Sequence, residues 1–155
     1  DKCVGCQVCE YVCSWEKEKA FNPLKSRIRV VRLNPLVNVS ITCRLCESPP
    51  CVAACPRDAL TQSEETGLIM VDKDKCNGCG WCIEACDYGA IMVHPETKVV
   101  FACDLCKDKG EPQCVKWCPE EALDLVTADV LAQKARIAAT KKLFKEALKA
   151  TPVSS

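Results

Sequence analysis

Aromatic side chains are scarce, at 5% of residues, and histidine occurs once, at His94. So little ring surface excludes a core built on large aromatics. With no second histidine and no nucleophile paired to the first, nothing resembles a catalytic constellation. Net charge is absent too: Lys plus Arg and Asp plus Glu both number 21. That balance gives no basic face for nucleic acid. No apolar run approaches the ~20 residues that cross a bilayer, so no membrane span is expected. Neither a G-x-G-x-x-G nor a P-loop pattern occurs. The chain opens at Asp1-Lys2-Cys3 without an apolar signal segment. The expected location is therefore a reducing compartment, the cytoplasm.

What the chain has instead is cysteine, 16 in 155 residues. The thiols fall into four groups of four: Cys3, Cys6, Cys9, Cys13; Cys43, Cys46, Cys51, Cys55; Cys76, Cys79, Cys82, Cys86; and Cys103, Cys106, Cys114, Cys118. None is left over. Groups one and three read C-x2-C-x2-C-x3-C, the run of bacterial iron–sulfur proteins. Groups two and four keep the opening C-x2-C and the closing C-x3-C and lengthen only the middle, to x4 and x7. Pro49 and Pro50 in one, Gly110 and Pro112 in the other, are turn formers that let the extra residues bulge outward.

Three chemistries use this much cysteine: disulfides, zinc and iron–sulfur clusters. A reducing compartment disfavours the first. Zinc sites are built from separated C-x2-C pairs and do not require the third and fourth thiols at x2 and x3. A cubane has four iron corners, each taking one thiolate, and a C-x2-C-x2-C loop wraps three of them. Four [4Fe-4S] clusters are therefore expected, with all sixteen cysteines as iron ligands.

A weaker repeat follows the fourth cysteine of groups two, three and four: Ala59-Leu60, Ala90-Ile91 and Ala122-Leu123. It predicts the same short helix packing on a cluster each time, with Pro56 and Pro119 opening it. Ser14 and Asp87 stand where the other groups have proline. Ile28–Leu33 and Val37–Ile41 read as two strands around Asn34-Pro35, and Leu68–Val71 and Val99–Phe101 as further strands. From Thr127 to Ala150 the pattern is an amphipathic helix, with Thr127 as cap and Pro152 beyond its end. Its outer face carries Lys134, Lys141, Lys142, Lys145 and Lys149, either a solvated face or a clamp onto a larger subunit. His94 reads as a solvated loop residue. Trp15, Trp81 and Trp117, each near cysteines, read as shields between clusters and water. Lys2, Lys73 and Lys75 read as exposed.

The sixteen-cysteine order, with x4 in group two and x7 in group four, resembles the four-cluster electron-transfer subunits of the dimethyl sulfoxide reductase type. Within that set it is similar to the small subunits of tungsten-containing aldehyde or aromatic acyl-CoA oxidoreductases and to carbon monoxide-type ferredoxin-like subunits. The resemblance covers roughly residues 1 to 126. It implies an α+β fold of two nested two-cluster ferredoxin-like units plus a C-terminal helix. Residues 42–92 would form the inner unit, residues 1–41 with 93–126 the outer unit, and residues 127–155 the helix and tail. It implies that Cys3, Cys6 and Cys9 share a cluster with Cys118, and Cys103, Cys106 and Cys114 with Cys13. Cys43, Cys46 and Cys51 would share one with Cys86, and Cys76, Cys79 and Cys82 with Cys55. Spacing by itself also allows tandem pairing of group one with two and three with four.

The implied role is a non-catalytic subunit that relays single electrons. The implied partners are a large tungsten or molybdenum pterin subunit, or a hydrogenase-type one, and ferredoxin or a further electron-transfer subunit. Two other classes stay open at this stage: a free polyferredoxin or cluster-based sensor, and a structural zinc protein.

Overall fold

The computed structural model describes residues 2–35 and 37–150, with the backbone path alone for residues 147–150. Pro152 and the side chain of Lys149 lie outside the described residues. By its internal contacts the chain divides between Leu123 and Asp124 into two units.

The first unit combines short helices with three two-stranded antiparallel sheets, an α+β architecture. β1 (Ile28–Asn34) pairs with β2 (Val37–Thr42), β3 (Leu60–Gln62) with β4 (Ile69–Val71), and β5 (Met92–Val93) with β6 (Val100–Phe101). The expected strands thus form, each within about a residue or two of its predicted span. The side chain of Asn34 accepts the N–H of Val37 at 2.9 Å, which closes the first hairpin. α1 (Val8–Glu18) carries Cys9 and Cys13 on its buried side with Glu10 and Ser14. Glu10, although charged, is buried, and its Oε1 accepts the N–H of Val30 at 2.7 Å, which ties α1 to β1.

α2 (Pro50–Ala53), α3 (Trp81–Glu84) and α4 (Gln113–Lys116) are single turns, each carrying the third cysteine of its group. The helix predicted after each fourth cysteine is not there. The residue three places beyond it, Asp58, Gly89 or Glu121, has φ of 49°, 59° or 47°. A left-handed residue reverses the chain instead of continuing a helix. Pro56 and Pro119 therefore sit in turns, and Pro50 is the proline at a first helical position.

The core is thin. One cluster of buried side chains joins Cys51, Ala59, Leu60, Ile69, Cys82, Ile91, Val100 and Ala102, and a smaller one joins Cys9, Cys13 and Ile28. Sulfur is part of both.

The second unit is dominated by α5 (Ala128–Ala150), which opens where the carbonyl of Thr127 accepts the N–H of Leu131. Val130, Leu131, Ile137, Leu143 and Phe144 are exposed, as are Lys134, Lys141, Lys142 and Lys145. The predicted helix forms, but none of these apolar side chains is buried. Lys134 pairs with Asp124. Among the described residues, no helix is long and apolar enough to cross a membrane.

Candidate metal centres

All sixteen cysteines are free thiols, and the fold gathers them in a different grouping from their order in the chain. Cys43, Cys46, Cys51 and Cys86 line one void of about 400 Å³, open solvent at its mouth included. Cys55, Cys76, Cys79 and Cys82 line a second of about 280 Å³. Cys3, Cys6, Cys9 and Cys118 line a third of about 340 Å³. The remaining four also sit together: Cys114 has Cys103, Cys13 and Cys106 as electrostatic neighbours. Among the described residues, no three His, Cys, Asp or Glu side chains converge on a point that one metal ion would fill. The thiols surround voids instead.

The loops reach this arrangement by one repeated backbone device. The residue before the second cysteine is left-handed in every group: Gly5 at φ 72°, Leu45 at 51°, Gly78 at 71° and Leu105 at 54°. Glycine is required at Gly78, where backbone blocks a Cβ, while at Gly5 the side chain of Asn38 would have to move. A Cβ on Gly78 would lie 2.4 Å from the carbonyl oxygen of Lys98, and one on Gly5 would lie 2.5 Å from Oδ1 of Asn38. Leu45 and Leu105 adopt the same conformation at the cost that an L side chain carries there.

A second device explains the Ala-Leu/Ile repeat. The left-handed turns at Asp58, Gly89 and Glu121 aim the next N–H back at the fourth cysteine. Ala59 donates to Sγ of Cys55 at 3.3 Å, Ala90 to Cys86 at 3.4 Å and Ala122 to Cys118 at 3.3 Å. In group one, which lacks the repeat, Arg27 N–H donates to Cys13 at 3.2 Å from a distant stretch of chain. Leu105 N–H donates to Cys103 at 3.4 Å. N–H groups aimed at sulfur are the donors that a buried anionic thiolate needs.

Burial sets the other sulfurs apart. It pushes the thiols of Cys9 and Cys114 up to about 12 and that of Cys82 up to about 11, and it raises Cys13, Cys43 and Cys51 as well. Neighbouring thiols add to the rise in each case. At Cys55 burial also pushes upward, but the N–H groups of Arg57, Ala59 and Leu60 outweigh it and the thiol is lowered. Thiols this buried are poor ligands until a cation displaces their protons. The donor set fits an iron–sulfur cluster: four sulfurs around a void, apolar walls, and backbone N–H groups directed at sulfur.

The other residues singled out by sequence fall outside these voids or at their edges. Trp15, Trp81 and Trp117 are exposed; Trp81 lies in one recess with Cys79, and Trp15 stacks on Phe21 at 4.8 Å. His94 is not a solvated residue. Its side chain is 13% exposed, its Nδ1 accepts the N–H groups of Glu96 and Thr97, and its ring meets Phe101 edge-on. Asp104 went unread in the sequence. Its carboxylate, beside Cys103, takes both Lys17 and Arg27 at 2.7 Å. Burial works against its charge, but Lys17 and Arg27 hold its carboxyl below the usual range.

Sulfur-lined cages of this kind define an iron–sulfur electron-transfer protein. The family described as a 4Fe-4S dicluster domain matches residues 36–128. The chain is 44% identical over 132 residues to the polyferredoxin-like subunit of the aliphatic sulfonate oxidoreductase of Pyrococcus furiosus, covering 83% of this chain and 75% of that protein. It is 34% identical over 134 residues to the thiosulfate reductase electron transfer subunit PhsB of Salmonella typhi, covering 79% of this chain and 69% of that one. Among solved structures, a chain of the active site complex BamBC of benzoyl-coenzyme A reductase is similar at 26% identity and a TM-score of 0.47, covering 96% of this chain and 92% of that one. The chain belongs to the 4Fe-4S dicluster family, and its relatives are electron-transfer subunits of the kind found in reductases.

Proposed function

We propose that this chain holds four [4Fe-4S] clusters in two nested pairs and relays single electrons between a large catalytic subunit and an external carrier. The observation that carries the reading is the regrouping of the thiols. In the three voids, the first three cysteines of one group are joined by the fourth cysteine of another. On this assignment Cys3, Cys6, Cys9 and Cys118 hold one cluster, and Cys13, Cys103, Cys106 and Cys114 the second. Cys43, Cys46, Cys51 and Cys86 hold the third, and Cys55, Cys76, Cys79 and Cys82 the fourth. A bound cluster of this type supplies a reversible one-electron centre.

The residues order these cages in a row. Cys9 neighbours Cys114 between the first and second, and Cys103 neighbours Cys43 between the second and third. Cys51 and Cys82 share one buried cluster between the third and fourth. At the two ends lie the exposed ligands, Cys6 and Cys79. Those ends are where electrons enter and leave the chain. The walls between keep water from the interior sulfurs, and the N–H donors stabilise their charge.

The relatives named above are subunits of oxidoreductases, which supports a large partner. A tungsten or molybdenum pterin centre is our reading of that partner, with ferredoxin as the reading of the carrier. The cytoplasm is our reading of its location, a compartment that keeps thiols reduced for cluster assembly. Anaerobic purification through this chain from its native source tests the proposal. A large pterin-containing subunit should be retained in fixed ratio; recovery of the chain alone would favour a free polyferredoxin.

A further inference from the structure

The second cage differs from the others in its surroundings. Oδ2 of Asp104 binds Nζ of Lys17 and Nη1 of Arg27, each at 2.7 Å, and Oδ1 accepts the N–H of Cys106 at 3.2 Å. All three side chains are largely withdrawn from water, at 11% exposed for Lys17, 22% for Arg27 and 21% for Asp104. Arg27 also touches the cage through its backbone, by the N–H that donates to Cys13. These groups and Cys106 line one polar recess, with Glu16, Asp108 and Lys109 at the same wall. Glu16 is met by Lys109 at 3.3 Å. Among the described residues, no other ion pair has both side chains this withdrawn from solvent and a ligand cysteine at its wall.

The geometry points to Lys17 and Arg27 as positioning residues that raise the reduction potential at the Cys13, Cys103, Cys106 and Cys114 cage, with Asp104, paired to both, limiting the rise. This rests on the four-cluster reading above. The argument is electrostatic. An electron delivered by the neighbouring cage adds one negative charge among four thiolates. Cations held in a poorly solvated wall stabilise that added charge more than mobile surface lysines do. A carboxylate in the same wall opposes it. The sign of each residue's effect is therefore fixed by its own charge.

The test is a redox titration of the whole anaerobic chain followed by electron paramagnetic resonance, with Cys114→Ser identifying the signal of this cage by its loss or conversion. Lys17→Gln and Arg27→Gln should move that midpoint to lower potential, and Asp104→Asn should move it higher. Lys17→Arg should leave it in place. Asn at 104 retains an acceptor for Cys106 N–H, so the loop keeps its anchor. Should Arg27→Gln fail to hold the cluster, Lys17→Gln and Asp104→Asn decide the matter. An unmoved midpoint, shifts of one sign in all the charge-removing variants, or loss of the signal in Lys17→Gln without a shift would each overturn the tuning role in favour of a purely structural one. Failure of the underlying reading would show separately, as missing iron and missing signals in the unmutated chain.

Discussion

The N–H of Arg27 donates to the sulfur of Cys13 at 3.2 Å, across fourteen positions of chain. The other three groups supply their fourth cysteine from four residues away, through Ala59, Ala90 and Ala122. Cys13 is instead in the middle of α1, where its own following residues are occupied in the helix. The donor has to come from elsewhere. Ser26, fully buried, sets it up: its Oγ donates to the carbonyl of Ile28 at 2.8 Å and accepts the N–H of Ile28 at 3.2 Å.

Ser26→Ala removes that local brace and strands the groups of Ile28. Leaving buried polar groups unpaired costs about 1–3 kcal/mol. The expected result is a lower temperature of cluster bleaching, by several degrees, with the iron content at room temperature unchanged. Bleaching at the unmutated temperature would contradict the account of how Cys13 is held.

Gly78 and Leu105 occupy equivalent places, both left-handed, but only Gly78 faces a backbone oxygen. Gly78→Ala should destabilise the chain by at least the ~1–3 kcal/mol of a strained backbone and lower iron retention at the Cys76–Cys82 loop. Leu105→Gly trades relief of backbone strain against added freedom in the unfolded chain and should change the bleaching temperature much less. Thermal denaturation followed at the cluster absorbance separates the two, and equal losses would count against the loop geometry.

Cys79 is exposed, and on the proposed assignment it is a ligand at one end of the row. Cys79→Ser should remove or convert one of the four proposed clusters, with complete removal costing about a quarter of the iron. Turnover of the complex with its protein carrier should fall at least tenfold. The partner's own half-reaction with a small dye should persist. Loss of the dye-linked activity as well would mean that the cage serves structure and not transfer.

How much of this was legible in advance follows from what each feature is made of. The four groups of cysteines were readable because cysteine spacing is a local property. The first hairpin was readable from β-branched runs around Asn34-Pro35. The turn after each fourth cysteine was not: Asp58 and Glu121 carry side chains that ordinarily avoid φ above zero, so the pattern read as a helix. The Ala-Leu/Ile repeat was visible, but its purpose, an N–H aimed at sulfur, depends on that unforeseen reversal. Asp104 escaped notice because its partners, Lys17 and Arg27, come from the opposite end of the first unit.

Removing the iron should cost most of the fold. The single-turn helices α2, α3 and α4 are too short to persist alone, and the buried clusters are partly sulfur. Far-ultraviolet circular dichroism of the iron-free chain should fall well below that of the intact protein. Buried thiols such as Cys9, Cys114 and Cys82 have values raised to about 12, 12 and 11, so they favour the metal-free fold only while protonated. That contribution is complete below the ordinary thiol value of about 8.5 and disappears as the pH climbs through 11 to 12. Whatever structure remains should therefore hold below that value and fade in alkali. Reconstitution should release protons, about one per thiol at neutral pH, as iron takes the sulfurs. A native spectrum without iron, or reconstitution without proton release, would contradict this.

The most direct measurement is quantitative iron and acid-labile sulfide analysis of the full chain prepared without oxygen. The account predicts a brown protein with about sixteen irons and sixteen sulfides, four of each per four-thiol cage. Zinc in their place, or iron sufficient for only one or two cages, would contradict it.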